Sequence, residues 1–132
     1  MLGKGNGMTH DQALELMDAF AKAFNRHDRQ ALESMMTEDA VFETSSGAEA
    51  FGVRHAGREA VGRAFAAVWE TYPDAIWDNA RHTAAGDRGF SEWTFRGSDR
   101  KGNKVEVNGV DLFVFRDGKI ARKDSFRKNR LK

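Results

Sequence analysis

At Pro73 the hydrophobic pattern of this 132-residue chain changes period, and that change limits the fold more than any other feature. Before it, apolar residues recur at spacings of three and four; after it they alternate. Thr9-His10-Asp11-Gln12 has the form of a capping box, and Ala13, Met17, Phe20, Ala21 and Phe24 follow on one helical face. A helix is therefore predicted over residues 10–25. Asp28 caps a short second helix carrying Ala31, Leu32, Met35 and Met36. Val41–Thr44 reads as a short strand, and residues 45–57 as a loop with a brief strand at Phe51–Arg54. A third helix follows Gly57, with Val61, Phe65, Val68 and Trp69 on its apolar face. Tyr72-Pro73-Asp74 ends it, because proline cannot continue the hydrogen-bond ladder. Four strands fit the remainder, at about 75–85, 89–97, 104–116 and 119–127, joined by glycine-containing turns of hairpin type. Helices first and an antiparallel meander afterwards mean α+β, not alternating α/β.

The chain has room for one core and no second module. Residues 9–128 are read as a single domain, 1–8 as a disordered N-terminal segment and 129–132 as a basic tail. Apolar residues at 40% and charged residues at 31% are globular values. The absence of cysteine excludes disulfides, thiolate metal sites and a cysteine nucleophile. No apolar run approaches the ~18 residues of a membrane span, and the opening residues hold no signal-peptide core. A soluble cytoplasmic protein with no membrane partner is expected. The net charge of +1 conceals an asymmetry. Residues 11–49 hold nine acids against three bases, whereas residues 116–132 hold eight bases against two acids. The basic end could bind phosphates, but it lacks interleaved aromatics and any nucleic-acid motif. Pairing with the acidic half is the simpler expectation, and no nucleic-acid partner is assigned.

Within Val105–Phe115, one face carries Val107, Gly109, Asp111, Phe113 and Phe115, the other Glu106, Asn108, Val110, Leu112 and Val114. Both faces are apolar toward the C-terminal end, so both should be covered there. Three helices cover one side; a second copy covering the other predicts a homodimer through the sheet.

Asp111 is a carboxylate on a face otherwise made of Val107, Phe113 and Phe115. Desolvation there disfavours the charged form and raises the pKa. A neutral acid so placed can donate to an enolate oxygen or act as a general acid. A buried aspartate satisfied by a lysine, an arginine or a backbone amide is the competing reading. A two-residue turn at Asp117-Gly118 puts Asp111 opposite Asp124, and Ile120 and Phe126 on the face of Phe113 and Phe115. Facing carboxylates would share a proton. A three-residue bulged turn would instead bring Lys123 to Asp111 as a salt bridge. The two-residue register is the preferred one. Trp93 is core or a pocket wall, and His55 lies in the loop before the third helix, within reach of a pocket mouth. His27 and His82 stand alone, and neither histidine spacing nor a carboxylate loop suggests a metal.

Phe24-Asn25-Arg26-His27-Asp28, Met36-Thr37-Glu38-Asp39-Ala40-Val41-Phe42, Gly57-Arg58-Glu59-Ala60-Val61, Val110-Asp111-Leu112-Phe113 and Phe115-Arg116-Asp117-Gly118-Lys119-Ile120 occur in this order. With these motifs the chain resembles the nuclear transport factor 2-like superfamily over residues 9–128, most closely its SnoaL-like and ketosteroid isomerase-like branch. The resemblance implies a cystatin-like cone: a curved, mixed antiparallel sheet packed on three N-terminal helices around an apolar pocket. Ketosteroid isomerases use a carboxylate base with an oxyanion hole of tyrosine and protonated aspartate. Carried onto this sequence, the oxyanion aspartate is Asp111, while the tyrosine position holds Phe20 and the base position Thr44, beside Glu43. Two of the three groups are absent. Lys123-Asp124-Ser125-Phe126 is similar to the Arg-Asp-Tyr-Phe stretch of the limonene epoxide hydrolase branch, whose aspartate faces the pocket. The resemblance thus implies acid–base chemistry on a small hydrophobic carbonyl or hydroxyl compound, of isomerase, polyketide cyclase or dehydratase (lyase) type, without cofactor. Asp111 and Asp124 are the expected catalytic pair, with Trp93, Phe20, Phe113, Phe126 and His55 against the substrate. A non-catalytic ligand-binding or dimeric assembly module of the same fold is the alternative.

Overall fold

A computed structural model describes residues 7–131. Three helices, α1 (His10–Asn25), α2 (Arg29–Ser34) and α3 (Arg58–Thr71), lie on one side of a six-stranded, curved, unclosed sheet. Its strands are β1 (Met36–Glu43), β2 (Arg54–Ala56), β3 (Ile76–Ala85), β4 (Arg88–Ser98), β5 (Lys104–Arg116) and β6 (Lys119–Arg127). They are ordered β2-β1-β6-β5-β4-β3, with β1 parallel to β6 and every other pair antiparallel. Of the segment expected to be disordered, residues 1–6 lie outside the described residues, as does Lys132 at the other end.

Local chemistry sets the helix boundaries where the sequence indicated them. The Thr9 hydroxyl accepts from the Gln12 amide and the Gln12 side chain accepts from the Thr9 amide, which satisfies two of the free donors of α1. Asp28 accepts from the Ala31 amide at the start of α2. Gly57 precedes α3 with φ of 95°, a conformation open to glycine.

The strands differ more. The first extends from Met36 rather than Val41, because Met36 pairs with Ile120 in the parallel ladder and is itself buried. Glu38 and Asp39 have little intrinsic strand preference, and they are carried in the strand by the pairing with β6 on either side, at Met36 and from Val41 onward. The brief strand lies at Arg54–Ala56, three residues beyond the expected start, where Val41, Phe42 and Glu43 offer it partners.

The core is the inner face of the sheet against α1 and α3, and it is unusually aromatic. Phe24 meets Phe65 at 4.7 Å and Trp77 at 4.5 Å between ring centroids, and Phe20 meets Phe113 at 5.7 Å, all edge to face. Such pairs contribute roughly 0.5–1.5 kcal/mol each beyond area burial. The acidic and basic stretches do meet across the fold: Arg116 pairs with Asp39 and Arg122 with Glu43.

One residue in β6 redirects everything that follows it. The Asp117-Gly118 turn has two residues, both at positive φ (54° and 74°), as a type I′ turn requires. Arg116 faces Lys119 and Phe115 faces Ile120. Past Ala121 the ladder slips, so that Val114 faces Arg122, Leu112 faces Asp124 and Asp111 faces Ser125. The extra residue is a β-bulge, and it reverses the face on which each later side chain points. Ile120, Lys123 and Ser125 are therefore the buried set. The expected pairing of Asp111 with Asp124 is corrected: Asp124 points to the opposite face of the sheet. Phe126, expected beside Phe113 and Phe115, is likewise on the outer face and 53% exposed.

Candidate functional site

Asp111 sits at the centre of β5, with Ser91 of β4 on one side and Ser125 of β6 on the other. Its carboxylate is buried and receives donors on both oxygens. The Trp93 indole N–H donates to Oδ2 at 3.0 Å and the Ser125 hydroxyl to Oδ1 at 2.6 Å. The Lys123 ammonium lies 3.3 Å from Oδ1 and also donates to Ser125 Oγ at 2.9 Å. Lys123, Ser125 and Asp111 thus form a closed triangle in which every edge is a polar contact. This is the salt bridge that the sequence left as the second alternative, reached through a bulge within β6 rather than in the turn.

Gly109 makes this arrangement possible. It pairs with Trp93, and a Cβ placed on it would lie 2.3 Å from the indole ring and 2.6 Å from the Phe126 carbonyl. With no side chain there, the Trp93 ring crosses β5 and its N–H reaches the neighbouring aspartate.

Lys123 is the least ordinary group of the set. Its side chain is 7% exposed, and its Nζ lies 4.5 Å from the Phe42 ring centre, 5.1 Å from that of Phe24 and 5.2 Å from that of Phe65. Burial holds the amine below the ordinary lysine range, and Asp111 opposes this without reversing it.

Two hollows meet at Lys123. The inner one, about 30 Å³, is lined by Phe20, Phe24, Trp77, Ser91, Trp93, Asp111 and Phe113 among others. It can hold little more than a water molecule. The second is a cleft of about 350 Å³ lined by Phe42, Thr44, His55, Phe65, Tyr72, Phe95, Ser125 and Arg127, again with Trp93 and Lys123. That volume suits a small organic ligand. Of the residues singled out from sequence, Asp111, Trp93, Phe20 and Phe113 come together at the inner hollow, and His55 lines the cleft, where it stacks on Phe42 at 5.9 Å. Asp124 and Phe126 line neither.

Two contributors were not singled out. Ser125 bridges Lys123 and Asp111; a serine on the face of Phe113 is a signal, but one visible only once the register is known. His82 shares a 2.8 Å hydrogen bond with Ser91, which lines the inner hollow. Burial holds its pKa below the usual histidine value, against the attraction of Asp18.

On the outer face, Asp124 belongs to a different cluster. The buried Glu43 carboxylate is gripped by Arg54 at 2.7 Å and by Arg122, which also lies 3.4 Å from Asp124. Burial raises the Asp124 pKa, and the like charge of Glu43 raises it further. Among the described residues no group of histidines, aspartates and glutamates is placed to hold a metal ion, and no helix is long and apolar enough to cross a membrane.

The family model for the SnoaL-like domain matches residues 17–123. A nuclear transport factor 2-like protein of unknown function from Mesorhizobium loti is 32% identical, with a TM-score of 0.76 over 91% of this chain and 93% of that one. A candidate polyketide cyclase from Xanthomonas campestris is 25% identical, with a TM-score of 0.80 over 91% and 92%. A second Xanthomonas campestris protein, of unknown function and cystatin-like fold, is 23% identical at a TM-score of 0.77 over 88% and 90%, a likeness of fold alone. Among curated proteins, none matches the sequence.

Proposed function

The chain belongs to the SnoaL-like family, and from that premise we propose that it takes a small apolar carbonyl or hydroxyl compound into the cleft and moves a proton on it at the Lys123–Asp111 pair. The reaction is of the isomerase, cyclase or dehydratase type and uses no cofactor. The observation that carries this reading is a buried amino group opening into an apolar cleft and tied to a buried carboxylate. A cation in such a place can donate to a developing enolate or alkoxide oxygen where water cannot screen it. Asp111 lines only the inner hollow, so its part is to orient Lys123 and exchange a proton with it through Ser125. Asp124, once expected as the second catalytic carboxylate, has no part in it.

Turnover of a panel of enolisable ketones, lactones and hydroxy ketones tests the reading. Lys123→Met should lower any turnover found by about a hundredfold or more, the scale of a lost general acid or oxyanion donor. Undiminished turnover in that variant would remove Lys123 from the chemistry. One observation favours a binding module instead: both Asp111 oxygens are already occupied by donors. Saturable ligand binding with no turnover on the panel would decide for that role.

We further propose a homodimer through the outer sheet face. Val110, Leu112 and Val114 are only half-buried there and are flanked by exposed Phe90 and Phe126. Strips of this kind mark interaction surfaces.

A further inference from the structure

Resting on the same pocket, we propose that Lys123 is a nucleophile: its amine condenses with an aldehyde or ketone held in the cleft to form an iminium ion. Three features of the site support a covalent step. First, Lys123 is the one buried lysine among the described residues; Lys22, Lys101, Lys104, Lys119 and Lys128 are all exposed. Its burial weakens its hold on a proton, though Asp111 and, more distantly, Asp124 attract the charged form. A lysine desolvated in an apolar pocket is the usual way a protein obtains a free amine near neutral pH.

Second, the proton has somewhere to go. Lys123 Nζ reaches Asp111 Oδ1 directly at 3.3 Å, or through Ser125 Oγ in steps of 2.9 and 2.6 Å. The ammonium passes one proton to the Asp111 carboxylate. The freed nitrogen lone pair attacks the carbonyl carbon, the C–N bond forms and the C=O π pair moves to oxygen. A proton shifts from nitrogen to that oxygen, which gives the carbinolamine. Asp111 then returns its proton to the hydroxyl through Ser125 Oγ, which lines the cleft, the C–O bond breaks, water leaves and the nitrogen lone pair closes the C=N⁺ bond. Ammonium and carbonyl become iminium and water, with Asp111 ending as it began.

Third, the surroundings suit the product as well as the reactant. The iminium carries the same single positive charge as the ammonium, so the Asp111 carboxylate and the rings of Phe42, Phe24 and Phe65 stabilise both.

The test uses the whole chain, cinnamaldehyde and sodium cyanoborohydride at neutral pH, with the reduced adduct located by peptide mass mapping. An exposed lysine is about one part in a thousand neutral at this pH, and each unit by which its pKa falls yields tenfold more free amine. Lys123 should therefore be labelled measurably faster than exposed Lys104 and Lys119. Lys123→Met should lose that adduct, whereas Lys104→Met keeps it. Because the site is mapped on the unmutated chain, the result stands even where Lys123→Met does not fold. A titration with cinnamyl alcohol, followed by tryptophan fluorescence, separates this proposal from the reading beneath it. Saturable quenching with Lys123 labelled no faster than Lys104 overturns the covalent step and leaves the pocket reading standing. Neither quenching nor preferential labelling overturns both.

Discussion

Asp111 and Asp124 come from neighbouring strands, share a residue type and neighbour the same lysine, one in space and the other in sequence, yet they meet opposite environments. Asp111 is on the inner face, where an indole, a hydroxyl and an ammonium converge on it among phenylalanine rings. Asp124 is on the outer face, beside a second carboxylate and facing the arginine that the two share. Inner-face polarity is paired and directed at a cleft; outer-face polarity is a crowded charge cluster at the edge of an apolar strip. One bulged residue, Ala121, separates the two outcomes. The face a strand residue occupies therefore decides its chemistry more than its identity does.

The contrast is tested most severely by Asp111→Ala. Removing one partner of a buried pair leaves Lys123 uncompensated and should cost about 3–5 kcal/mol in urea or guanidinium unfolding at pH 7. A loss below about 1 kcal/mol would mean that the inner aspartate is no better paired than the outer one. The outer face has its own test in Leu112→Glu. If a second copy covers Leu112 and Val110, a charge buried there should weaken dimerisation by about 3 kcal/mol, on the order of a hundredfold in dissociation constant. Sedimentation at micromolar concentration measures it, and an unmutated chain that sediments as a 14.8 kDa monomer defeats the dimer outright.

Gly109→Ala probes the join between the faces. The new methyl meets the Trp93 ring, so the indole must move away from Asp111, at about 1–3 kcal/mol, the scale of overpacking in a tight core. Tryptophan fluorescence should shift with it. An unchanged spectrum and stability would show that the Trp93–Asp111 hydrogen bond does not depend on the bare backbone at Gly109.

Most of the fold could be read from the sequence because its signals are local. The capping box at Thr9, the Asp28 cap, Gly57 ahead of α3, Pro73 and the Asp117-Gly118 turn each act within a few residues. What could not be read depends on partners distant in the chain. The strand start at Met36 exists through its pairing with Ile120, and the register of β6 breaks against both β1 and β5 between Ile120 and Arg122. Nothing in Ile120-Ala121-Arg122-Lys123 marks a bulge: there is no glycine, and two-residue turn chemistry extrapolates smoothly to the wrong pairing. The candidate site inherits that division. Asp111 stood out as a carboxylate in an apolar run, Trp93 and Phe113 follow from the same face of the sheet, and Phe20 follows from the apolar face of α1. Lys123 and Ser125 replace Asp124 and Phe126 because one residue was added between the turn and the site.

The smallest effect, and the one with a sign specific to the outer face, belongs to Asp124→Asn. Burial and Glu43 raise the folded pKa of Asp124 above its unfolded value. The folded state therefore binds more protons than the unfolded state between those two values, and stability falls as pH rises through that window. Below the unfolded pKa the carboxyl is neutral in both states and costs nothing; above the folded pKa the full cost of ionising it beside Glu43 is present. Asparagine removes this titration, while Arg122 keeps its stronger partner, Glu43. The variant should thus be slightly more stable than the unmutated chain at pH 7, and the advantage should shrink as pH is lowered through the carboxylate range. Thermal melts of the two proteins at pH 7 and in acid measure the difference. A variant less stable at pH 7 would show that Asp124 is held by Arg122 as firmly as Asp111 is held by Lys123, and the two faces would no longer differ in the way their charges are carried.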